Sequence, residues 1–153
     1  MNLMERLRAA GRLSDRTLQR NVLTAAISTM VADGAVDRIE RKLLRDMLVP
    51  SPLFAGVSEG EIEAIQLEVL DAIEARGHQA VIAEASAALS PALRETALLF
   101  AMRIAFIDGV ADQGEINSLE QKAAAMGISD AIFDGFAKAV IALQRGPSAQ
   151  KEA

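Results

Sequence analysis

A chain of 153 residues with 51% apolar and only 3% aromatic side chains is the size of one domain, and Ala, Leu, Ile, Val and Met must fill its core. A formal charge of −5, with no basic stripe interleaved with aromatics, argues against nucleic acid as a partner, and the absence of Cys excludes disulfides and thiolate metal sites. Asp33, Arg94, Arg103 and Asp108 interrupt every apolar run before it reaches the ~18 residues of a membrane span. Charges at Glu5, Arg6 and Arg8 stand where a signal peptide needs an apolar stretch, so the expectation is a cytoplasmic protein without a transmembrane segment.

Leu3, Met4, Leu7 and Ala10 lie at helical spacing, which predicts a short amphipathic helix over residues 1–13, weakened at its end by Gly11. With Arg6, Arg8 and Arg12 it has the makings of a peripheral membrane contact, but docking on the domain is the preferred reading. Ser14 reads as the N-cap of a second helix through Leu18, Val22, Leu23, Ala26, Ile27, Met30 and Val31, stopping near Ala32 because Gly34 supplies a left-handed terminator. Asp37 with Glu40 forms a capping-box pattern before Leu43, Leu44, Met47 and Leu48, and Pro50 and Pro52 close that helix.

Ser58, with Glu59 and Glu61, opens a helix through Ile62, Ile65, Val69, Leu70 and Ile73 that Gly77 ends, and a shorter helix spans about 79–89. Ser90-Pro91 starts a long helix through Leu98, Leu99, Met102, Ile104, Ala105 and Phe106. Asp112 caps a helix through Ile116, Leu119 and Ala123 that ends at Gly127, and Ser129 caps a last one burying Ile132, Phe133, Phe136, Val140, Ile141 and Leu143. No segment alternates at period two. The predicted architecture is a single-domain all-α bundle of about seven or eight helices over 14–144, with a disordered tail over 145–153.

Two stretches correspond at a constant offset of 75 residues: Asp33-Gly34-Ala35-Val36-Asp37-Arg38-Ile39-Glu40 returns as Asp108-Gly109-Val110-Ala111-Asp112-Gln113-Gly114-Glu115. Each follows an apolar helical run, so the repeat halves, about 18–48 and 93–126, read as two similar helical hairpins. Asp37/Glu40 and Asp112/Glu115 are ordinary N-cap and N3 pairs, but Asp33 and Asp108 stand at helix C-termini, where the helix dipole disfavours an anion by roughly 0.3–1 kcal/mol. That placement, made twice, points to a hard cation: Ca²⁺, Mg²⁺ or Mn²⁺ held by Asp33, Asp37, Glu40, Asp108, Asp112 and Glu115. The loops match only the second half of an EF-hand, since Thr29 and Val31, or Ile104 and Phe106, fall where its first ligands belong. One shared site and two open sites both remain consistent with the pattern.

An Ala-Asp-Gly-x-Val-Asp-x-x-Glu loop after an apolar helix, echoed as Ile-Asp-Gly-x-Ala-Asp-x-x-Glu, resembles the tellurite-resistance TerB family over about 18–143. The resemblance implies an all-α fold, a metal site at the acidic loops, and a role among other Ter proteins in bacterial tellurite or stress responses. Gly114 and Ala111 depart from the first copy. The expectation is a non-enzymatic domain that binds a divalent cation and protein partners. The alternatives are a metal-independent helical interaction module, as in TerB-like domains attached to co-chaperones, and, least favoured, a metal-dependent hydrolase, for which no general base or phosphate-positioning cation accompanies the acids. His78, the single histidine, is expected to contact a helix end or solvent; Met30, Met47, Met102 and Met126 to pack; and Glu59, Glu61, Glu63 and Glu68 to form a solvated face.

Overall fold

The computed structural model describes residues 2–31, 38–107 and 111–151, with side chains at all of these except 9–14. Among them are seven α-helices and two short 3-10 helices and no strand: α1 (Leu3–Met30), α2 (Arg38–Leu48), α3 (Glu59–Arg76), α4 (His78–Ala87), α5 (Pro91–Ala105), α6 (Gln113–Ala125) and α7 (Asp130–Leu143), with the 3-10 helices at Pro52–Phe54 and Pro147–Lys151.

Most of the expected start and stop signals act as read. Ser58, Ser90 and Ser129 each turn a hydroxyl to the backbone N–H three residues on, at 3.2–3.3 Å, supplying an acceptor that the first turns of α3, α5 and α7 lack. Pro91 occupies the first turn of α5, where its missing N–H costs nothing. Gly77 and Gly127 take φ of +84° and +72°, a conformation that a side chain would strain, and so end α3 and α6.

The N-terminus departs from expectation. Residues 3–30 form one unbroken helix of 28 residues, about 42 Å long, so no new helix begins at Ser14. The start signal lies at Asn2, whose Oδ1 accepts the Glu5 N–H at 2.9 Å while Glu5 Oε2 accepts the Asn2 N–H at 3.0 Å. Once nucleated, elongation is cheap, and a single glycine at position 11 costs only about 1 kcal/mol. Nor does the first part dock on the domain: Leu3, Met4 and Leu7 are 58–70% exposed.

Burial begins further along α1. Arg16 pairs with Glu68 of α3 at 2.8 Å, Gln19 Nε2 donates to the Leu53 carbonyl at 2.9 Å, and from Val22 the helix is enclosed. α1 and α5 form the central packed pair. α3 and α4 cover α1, while α2, α6 and α7 cover α5, and α4 also touches α3 and α6. Leu23 and Ile27 of α1 and Leu98 and Met102 of α5 are fully buried, and the predicted packing residues Met30, Met47 and Met126 are buried in the same cluster. Only part of the stripe expected on α7 is covered: Phe133 and Val140 are buried, but Ile132, Ile141 and Leu143 are exposed, because α5 is the main neighbour of that helix. In the expected disordered tail, Pro147–Lys151 wind one 3-10 helix with no buried residue.

Candidate functional site

Of the six proposed cation ligands, Glu40, Asp112 and Glu115 fall within the described residues, whereas Asp33, Asp37 and Asp108 lie outside them. Glu40 is half-buried in the first turn of α2. Asp112 and Glu115 form a complete capping box on α6: Asp112 Oδ1 accepts the Glu115 N–H at 2.8 Å, and Glu115 Oε2 accepts the Asp112 N–H at 3.2 Å. Both carboxylates are exposed, and the box engages one oxygen of each. Two exposed carboxylates with a further oxygen apiece suit a hard, partly hydrated cation. Among the described residues, no three His, Asp or Glu side chains converge as a metal-binding group.

A second polar cluster appears where α1, α4 and α6 meet. Thr24 and Thr29 donate their hydroxyls to carbonyls one turn back on α1, but the Ser28 hydroxyl between them lies 2.6 Å from His78 Nδ1. Burial and the nearby Lys122 ammonium both lower the His78 pKa from its ordinary value, burial more strongly. Ser28 Oγ and His78 Nδ1 thus share one hydrogen bond, whose direction is set by the ring tautomer. Lys122, on α6, is only 7% exposed and donates to Ser118 Oγ at 3.0 Å. Its pKa is lowered by desolvation, the expected response of a buried ammonium. Ser28, His78 and Lys122 line a cavity of about 250 Å³ together with Gln79, Ser118 and Gln121.

His78, expected at a helix end or in solvent, is exposed at the first residue of α4 and also reaches Ser28, while neither Ser28 nor Lys122 was singled out from the sequence. A buried serine 50 residues from its partner leaves no local pattern. Lys122 did leave one, because the 75-residue offset aligns it with Met47, a buried apolar residue.

The helical fold agrees with the one comparison that matches. A model of the family described as tellurite resistance protein TerB matches residues 19–138. The chain belongs to the TerB family. No curated protein and no solved structure matches it. The TerB match starts at Gln19, just before α1 becomes buried, and ends within α7, so it leaves out the projecting N-terminal part of α1 and the tail.

Proposed function

We propose that this TerB-family chain is a non-enzymatic, cytoplasmic domain that binds Ca²⁺, Mg²⁺ or Mn²⁺ through its paired acidic loops. It would act on protein partners, other Ter proteins among them, in a bacterial tellurite or stress response. The observation that supports this reading is the duplication itself: the two acidic motifs follow equivalent helices, α1 and α5, which pack directly on each other. A cation bridging the hairpins would then hold the bundle's two halves together. No described helix is long and apolar enough to cross a membrane.

The capping box at Asp112 and Glu115 favours a second reading, a metal-independent interaction module whose carboxylates stabilise helix starts alone. Thermal unfolding of chelator-treated protein separates the two. A cation at ~100 times its Kd adds about 2.7 kcal/mol, or roughly 5–10 °C in Tm at this chain length. Wild type should gain this with at least one of the three cations, and Asp33→Asn and Asp108→Asn should not. If no cation shifts wild type, or both variants shift as wild type does, the cation reading fails. The capping reading instead expects no response to metal and a loss of about 1 kcal/mol in Asp112→Ala.

A further inference from the structure

We infer that the cavity between α1, α4 and α6 is a binding site for a small oxyanion of the phosphate or carboxylate class, with Lys122 as its charged floor. The acidic loops play no part in it.

The 75-residue offset aligns Leu43 with Ser118 and Met47 with Lys122, one helical turn apart on α2 and α6. In the first hairpin Met47 is buried and Leu43 packs against the core. The backbone therefore accepts an apolar pair at these positions. In the second hairpin the same two positions carry a hydroxyl and an ammonium, hydrogen-bonded to each other and facing the cavity. Burying an ammonium is costly unless an acceptor or an opposite charge compensates it. Ser118 supplies one acceptor for three N–H donors, and among the described residues no carboxylate lies within ion-pair distance of Lys122 or lines the cavity.

The other polar lining residues fit the same ligand, and Ile82 and Ala125 complete the wall with apolar surface. His78 and Gln79 are the first two residues of α4, whose N-cap, Gly77, makes no side-chain capping bond, so the positive end of that helix dipole borders the cavity. Gln79 and Gln121 contribute exposed amide donors, and His78 borders the same space. The volume far exceeds the ~10–15 Å³ that a single water needs, so an oxyanion can enter with part of its hydration. A cation has no charged partner here, and an apolar ligand would strand the ammonium.

The test is calorimetric titration of the full chain, kept in chelator, with inorganic phosphate against chloride at constant ionic strength, followed by acetate to separate a phosphate from a carboxylate preference. Amide and histidine-ring NMR shifts are recorded in parallel. Wild type should bind phosphate or acetate, with shifts concentrated at His78, Gln79 and α6. Lys122→Met, which copies Met47, should stay folded and bind roughly tenfold to a hundredfold more weakly, as expected on losing a charge-assisted hydrogen bond. Gln79→Glu, a change at an exposed position, should weaken binding by placing an anion at the mouth. Undiminished binding by both variants, shifts confined to surface arginines such as Arg6 and Arg8, or no binding of either anion by wild type would each overturn the assignment. Because metal is excluded throughout, failure here leaves the cation reading untouched.

Discussion

Leu23 of α1 and Leu98 of α5 occupy equivalent places in the two hairpins, and both are fully buried, as are Ala26 and Ala101. Leu44 of α2 and Leu119 of α6 match in the same way. The equivalence breaks one turn further on, where buried Met47 corresponds to buried Lys122. The hairpins thus share the positions that set helix packing and differ where α6 meets α4. The same fold tolerates two chemistries there because the second hairpin opens onto a polar cavity, whereas the first closes over its thioether.

The sharpest way to break this comparison is to exchange the odd pair. Met47→Lys should cost roughly 3–5 kcal/mol, since it buries an ammonium where Met47 packs into the apolar core, and urea unfolding midpoints measure it. A cost below 1 kcal/mol would mean that the two positions are not different environments. The shared positions should behave alike: Leu23→Ala and Leu98→Ala should each lose about 2–5 kcal/mol, and the two losses should be close to each other. Unequal losses would show that the halves share sequence spacing without sharing packing.

Smaller effects separate the two parts of α1. Arg16→Ala should remove an exposed ion pair with Glu68 worth about 0.2–1 kcal/mol. Leu7→Ser, on the exposed segment, should change the midpoint by less than about 0.5 kcal/mol. A large loss from Leu7→Ser would place that segment against the bundle after all.

How far these features were legible in the sequence depended on their range. Caps at Ser58, Ser90, Asp112 and Ser129, and terminators at Gly77 and Gly127, are local and act within four residues, so spacing alone revealed them. The false start at Ser14 came from weighing a good cap residue without the stronger Asn2–Glu5 box upstream, which had already nucleated the helix. Ile132, Ile141 and Leu143 were misjudged because periodicity gives the direction of an apolar stripe and not the width of its neighbour. Of the acidic loops, the second revealed its capping role from spacing, while the Ser28–His78 contact required the fold to bring α1 and α4 together.

The smallest effect concerns pH and tests whether Lys122 is a tolerated charge or a required one. Desolvation lowers its folded-state pKa below the ordinary 10.5, so between the lowered value and 10.5 the unfolded chain binds more protons than the folded one. The penalty of burying the ammonium is therefore fully present below the folded pKa and fades as pH rises toward 10.5. Lys122→Met removes that penalty altogether, so without an added anion it should equal or exceed wild type at neutral pH. Its advantage should shrink as the solution becomes alkaline, as urea midpoints of both proteins across that range would record. A constant difference would mean that Lys122 does not titrate differently on folding. Lower stability of the variant at neutral pH would mean that the ammonium is compensated within the folded chain, and the contrast between the hairpins would then reflect structure rather than ligand chemistry.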